Sequence, residues 1–193
     1  MEKEYLIRRI TGQEDIRPYH IPGSYELEGQ SFYLELPGHE ALSLHFGREQ
    51  LDVNGRKVPY TAVKCEDSVF FAGFDGQLLL LDAALSRAVL TNGTQIWTNF
   101  EKKDLPLFGW ETPIRFGAYL TCSCRFEEAQ MTIDGEAWPA NYVQYADKQC
   151  LVLLSTEQGG LVLILNLDRF LIYSGINGKI LGGGFIKYPE EQA

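Results

Sequence analysis

FGREQLDVNGRKVPYTAVKCED, residues 46–67, is answered by FEEAQMTIDGEAWPANYVQYAD, residues 126–147. Phe46, Gln50, Gly55, Pro59, Val63 and Asp67 recur as Phe126, Gln130, Gly135, Pro139, Val143 and Asp147, each pair 80 positions apart. Further on, Asp75-Gly76 followed by Leu78 to Leu81 is echoed by Gly159-Gly160 followed by Val162 to Leu165, and Asn92-Gly93 by Asn177-Gly178. The offset there has grown to 84 and 85, as small loop insertions make it. A strand-and-hairpin unit used twice, in a chain too short for a propeller or solenoid, implies an all-β fold closing into one barrel or sandwich, and the favoured form is a single antiparallel barrel of two pseudo-symmetric repeats.

Around this repeat the pattern has period two. Phe32, Leu34 and Leu36 oppose Tyr33 and Glu35; Leu42, Leu44 and Phe46 oppose Ser43 and His45. Two antiparallel strands joined near Pro37-Gly38 fit that alternation. Asn54-Gly55, Asp75-Gly76, Asn92-Gly93, Asp134-Gly135 and Asn177-Gly178 stand between apolar segments, where type I′ hairpins use Asn or Asp followed by Gly because both central residues need positive φ. In the second half Ile114 to Phe126 reads as one strand, followed by strands at 130–133, 141–145, 149–155, 160–166, 170–174 and 180–187. The triplet Gly182-Gly183-Gly184 precedes no helix and is read as a close backbone approach or a bend at a barrel corner. The expected organisation is an N-terminal arm over residues 1–29, with a short helix near Gly12 to Ile16, and a single barrel domain over 30–187. Its halves span about 31–98 and 114–187, the connection over Asn99 to Pro113 crosses a barrel end, and 188–193 is a C-terminal tail.

Composition excludes several classes. With 17 basic against 26 acidic residues and no basic run longer than Arg8-Arg9 or Lys102-Lys103, nucleic acid is not an expected partner. No stretch approaches a membrane span, and MEKEYLIRRI lacks the apolar core of a secretion signal, so the expectation is a cytoplasmic protein away from membranes. Cys65, Cys122, Cys124 and Cys150 are then reduced thiols. Cys122 and Cys124 share a strand face; buried core thiols are the favoured reading, a redox or metal pair the alternative.

The strand-turn-strand ending from Gly160 to Asp168 and Phe170 to Lys179 resembles the calycin-like, lipocalin-related barrels of the MoaF type, a family associated with molybdenum cofactor synthesis. The phenolic acid decarboxylases are similar in architecture. The resemblance covers residues 27–187 and lies in pattern. It implies a short, wide antiparallel barrel with a central cavity for a small, often aromatic or acidic, molecule; no catalytic position is carried over from the decarboxylases.

Candidate site residues follow from strand alternation, which separates inside from outside only up to a choice of sign. Arg115, Tyr119 and Arg125 are placed on one polar face, and His45 and Arg125 hold matched positions just before Phe46 and Phe126. If that face is the lumen, Arg115 and Arg125 form an anion receptor, with His45, Glu35 or Tyr119 as general acid or base. Tyr33 and Tyr142 carry the same ambiguity as ligand contacts. Trp97 and Trp110 are either plugs of a barrel end or a stacking wall for a flat ligand. The opposite sense, polar side outward, is the usual one. His20, His39 and His45 lack metal-ligand spacing, so no metal or other cofactor is expected. The resulting expectation is a barrel binding a hydrophobic, aromatic or carboxylate-bearing metabolite, with cofactor-free decarboxylation, isomerisation or cyclisation as its candidate chemistry. A non-catalytic carrier, and a structural or interaction barrel with a filled lumen, are the alternatives, and homodimerisation is left open. The interior discriminates between them: convergent charges in an open cavity mark the enzyme, an open apolar cavity the carrier, a closed apolar lumen the interaction module.

Overall fold

The computed structural model describes residues 3–11, 19–101 and 107–186. It is all-β apart from one helix, and each repeat half builds its own sheet. The first holds β1 (Ser31–Leu34), β2 (Leu42–Phe46), β3 (Gln50–Val53), β4 (Arg56–Lys64), β5 (Val69–Phe74), β6 (Gln77–Asp82), β7 (Arg87–Asn92) and β8 (Gln95–Thr98) in that spatial order. The second holds β9 (Glu111–Gly117), β10 (Leu120–Glu127), β11 (Gln130–Ile133), β12 (Glu136–Ala146), β13 (Gln149–Thr156), β14 (Gly159–Asn166), β15 (Leu171–Ile176) and β16 (Lys179–Ile186). Here β16 returns to pair with β9, giving a closed barrel. Two compact units result: one of Ile21–Glu101 with Asn177–Ile180, the other of the remaining described chain.

The all-β class and the closed antiparallel barrel agree with expectation. The distribution of strands does not, because the barrel is made by one repeat half and the other half makes a separate sheet. The reason is an undercount of strands. Ile114 to Phe126 is a hairpin, β9 and β10, turning at Ala118 and Tyr119 with no Gly, Pro or Asn to mark it. Each half therefore has enough strands for its own sheet and its own core. Phe32, Leu44, Phe46, Leu51, Phe70 and Leu79 anchor one core; Phe126, Met131, Trp138, Val152, Leu163 and Ile172 anchor the other.

The repeat also begins earlier than the alternation suggests. Leu27-Glu28-Gly29-Gln30 and Leu107-Phe108-Gly109-Trp110 form the same turn before the first strand of each half. In each, the fourth residue's N–H donates to the first carbonyl at 3.0 Å, and the glycine N–H donates to the Phe46 or Phe126 carbonyl at 2.7 Å. Gly29 and Gly109 sit at φ 82° and 88°, which favours glycine strongly. Residues 27–30 thus belong to the first repeat and not to an arm, and 107–110 open the second.

Four of the five Asn/Asp-Gly turns have both residues at positive φ, as type I′ requires; at the fifth the loop is Gly93-Thr94, with only Gly93 positive. The helix α1 (Lys3–Ile10) lies where no helix was expected, while the one expected near Gly12 to Ile16 lies outside the described residues. Leu6, Ile7 and Ile10 are one face of α1 and join the barrel core. Arg9 donates to the Tyr119 carbonyl at 3.4 Å and the Thr11 hydroxyl meets Gln158 Oε1 at 3.3 Å, so α1 covers the end formed by the β9–β10 and β13–β14 turns. Arg8 and Arg9 in its last turn complement the helix dipole. Among the described residues no helix is long and apolar enough to cross a membrane.

Candidate functional site

An eight-stranded barrel has an interior just wide enough for its own side chains, and apolar side chains fill this one. The inward set of β10 is Leu120, Cys122, Cys124 and Phe126, all buried, while Thr121, Ser123 and Arg125 alternate outward and exposed. Unpaired charges have no place in such an interior, because desolvating an ion costs far more than any packing gain returns. The polar candidates accordingly face outward. Arg125 is exposed and pairs with Glu127 at 3.6 Å. Arg115 is half-buried on the outer face, donates to the Gly117 and Ala118 carbonyls at 3.4 and 3.3 Å, and lies over the Tyr19 ring. Tyr119 stands in the β9–β10 turn, 57% exposed.

On the first sheet Tyr33, Glu35 and His45 are exposed, and His45 Nδ1 shares a hydrogen bond with Ser31 Oγ at 2.7 Å. His45 and Arg125 do occupy matched places, each beside a buried Phe, yet both point away from the core. The expected convergence of Arg115, Tyr119, Arg125 and His45 in one lumen is therefore replaced by separate sites on outer surfaces. Trp97 is half-buried against the first core and packs edge-on to His39, 4.7 Å between ring centroids. Among the described residues no group of His, Cys, Asp or Glu is placed to hold a metal ion.

Of the expected residues, Trp110 stands at the barrel end opposite α1. The turn ending in Trp110 docks on the end of β10, Phe126 N–H donating to the Trp110 carbonyl at 3.1 Å. The β14–β15 turn lies across the same end. Asn166 Oδ1 accepts the Asp168 and Arg169 N–H groups at 3.1 and 3.0 Å, and Phe170 follows at φ 55°. Its carbonyl accepts the Ile186 N–H at 2.9 Å. Between these turns is a pocket lined by Leu107, Trp110, Thr112, Phe126, Leu167, Phe170 and Ile186. The free space is about 20 Å³, room for about one water, a single site needing roughly 10–15 Å³. Its rim is aromatic, with Trp110 and Phe170 exposed at 40% and 37%.

Beside the rim, Phe108 packs edge-on to Tyr142 with 5.1 Å between centroids, and the Tyr142 hydroxyl donates to the Gln130 carbonyl at 2.7 Å. Burial pushes the Tyr142 phenol well above its ordinary pKa, so it stays a neutral donor. Two residues further along the same face, Gln144 is buried opposite Cys150, its Oε1 without a hydrogen-bond partner among the described residues. Sequence reasoning missed Phe170. Nothing marked it as a left-handed turn residue, although its counterpart at offset 84, Ser86, has the same conformation. Comparison with known protein families and with curated proteins returns no match.

Proposed function

We propose that the closed barrel binds a small, flat, uncharged hydrophobic molecule at the end bearing Trp110 and Phe170, and that it acts as a binding protein without catalysing a reaction on it. The observation that carries this is the pocket's lining: six apolar side chains, one hydroxyl from Thr112, and no carboxylate, imidazole or ammonium. Barrel mouths are a common place for such sites, and apolar walls with one or two polar groups are their usual composition. The pocket as it stands is smaller than any metabolite, so entry requires the exposed Trp110 and Phe170 rings to swing outward. A bulky residue at positive φ is strained, which makes the Phe170 turn the element readiest to give. The resemblance to MoaF-type calycin barrels points to the same ligand class, while the uncharged lining favours an aromatic hydrocarbon or heterocycle over a carboxylate.

A thermal-shift and tryptophan-fluorescence screen with indole, naphthalene and quinoline tests the reading. A ligand at 100 times its dissociation constant is expected to add about 2.7 kcal/mol of stability, with that gain lost in Trp110→Ala and in Phe170→Ala. Stabilisation undiminished by both substitutions, or none by any of these molecules, overturns it. The filled lumen favours a second reading, an interaction module working through its outer surface; that outcome is indicated if no small molecule binds.

A further inference from the structure

The first sheet runs from β1 to β8 without closing, although it has the same strand order as the barrel. In the barrel the seam is made by Arg115 opposite Phe185 and Ile114 opposite Ile186. Offsets of 80 on one strand and 85 on the other place Glu35, Phe100, Leu34 and Glu101 at those positions in the first half. Two carboxylates thus stand where the barrel has a guanidinium and an isoleucine. Gly184 lies so close to the Arg115 carbonyl that any Cβ there would collide with it. Its counterpart is Asn99, which has a side chain, and that side chain is turned back onto β7: Oδ1 accepts the Ala88 N–H at 2.8 Å and Nδ2 donates to the Ser86 carbonyl at 3.4 Å. Among the described residues the two edges do not pair.

Both edges consequently present strand backbone on one side only. Among the described residues β1 pairs with β2 alone and β8 with β7 alone. Between them is an open cleft of about 560 Å³ whose walls include Glu35, Leu36, His39, Asn99, Phe100 and Glu101. A strand edge with unpaired N–H and C=O groups is a template for one more strand, and alternate side chains of an added strand then read opposite faces. By that register Leu34, Leu36 and Glu101 lie on one face and Glu35 with Phe100 on the other, so each face carries one carboxylate.

We propose that this seam is a docking edge for an extended peptide of a partner protein, added alongside β1 and carrying lysine or arginine at alternate positions. The peptide's backbone supplies the hydrogen bonds that β16 gives to β9 in the other half, and its cations supply countercharge to Glu35 and Glu101. Complementary charge sets the choice of partner, since like charges brought together at an interface disfavour the wrong one.

The probe is a short synthetic peptide of alternating lysine and valine, with one of alternating glutamate and valine as control, followed by amide hydrogen exchange and Trp97 fluorescence. The lysine peptide is expected to slow exchange at residues 31–36 and 95–98 and to bind at least about tenfold tighter than the glutamate peptide. Glu35→Lys combined with Glu101→Lys, both exposed positions, is expected to leave the circular dichroism unchanged and to reverse that preference. Equal binding of the two peptides, absence of binding, or protection elsewhere in the chain overturns the proposal. So does protection of the same edges by raising protein concentration without peptide, which would identify a second copy as the occupant.

Discussion

At the scale of single residues, the inward positions decide the chemistry. The four cysteines are free and buried, and Cys122 and Cys124 share the inward face that their spacing implied. Desolvation raises all four thiols above their ordinary value of 9.0, Cys122 and Cys150 to about 12. A raised pKa means that above pH 9 the unfolded chain sheds thiol protons that the folded chain keeps, so the linked stability is complete below pH 9 and lost as pH climbs towards 12. Urea midpoints measured from pH 7 to pH 11 should therefore hold level at first and then fall, and a serine at Cys150 should flatten part of that fall. A midpoint independent of pH up to 11 would contradict the burial of these thiols. That Cys122 and Cys124 share a face was legible because period-two alternation fixes which residues lie together. The sense of the polar face was not, since Arg115 and Arg125 alternate equally well with the core on either side; only the filled interior, which excludes ions, resolves the sign.

At the scale of elements, most turns with their own chemistry were legible, and of the turns without it the one at Ala118-Tyr119 was missed. Asn54-Gly55 and Asp134-Gly135 announce themselves because positive φ at two successive residues is tolerable for few sequences. The Ala118-Tyr119, Lys148 and Phe170 turns use ordinary residues and are imposed by the strands on either side. The helix α1 escaped notice for a related reason: it has 8 residues, too short for a periodic signal, and owes its stability to Leu6, Ile7 and Ile10 entering the core. The glycine triplet, by contrast, did mark a close approach. Gly184 lies against the Arg115 carbonyl at the barrel seam with no room for a Cβ, and Gly183 exchanges backbone hydrogen bonds with Tyr19 at 3.2 and 2.9 Å. Replacing Gly184 by Ala should push β16 away from β9 and destabilise the protein by about 1–3 kcal/mol, the usual range for forcing atoms into a packed site. Equilibrium denaturation measures this. The same substitution at exposed Gly135, where a Cβ meets nothing but φ is 83°, tests backbone strain without collision.

At the scale of the whole molecule, the repeat was visible in sequence while its use was not. A constant 80-residue offset is equally compatible with two halves sharing one barrel and with two halves each building a sheet. The count of strands separates these, and that count rested on the unmarked hairpin turns. Both sheets are meanders, each strand lying beside its sequence neighbours, so almost every strand pairing is made over a short stretch of chain. Among the strand pairings of the barrel the seam is different: Ile114 meets Ile186, 186 − 114 = 72 positions apart. Closing a loop of that length costs roughly (3/2)RT ln n in chain entropy, about 2 kcal/mol more than closing a hairpin of a few residues, and it is repaid only once the intervening strands are in place. The barrel is therefore expected to assemble as a growing ribbon that shuts in its final step. Pulse-labelled amide exchange during refolding should show β12, β13 and β14 protected before β9 and β16; simultaneous protection across all strands would mean that closure accompanies nucleation instead of following it.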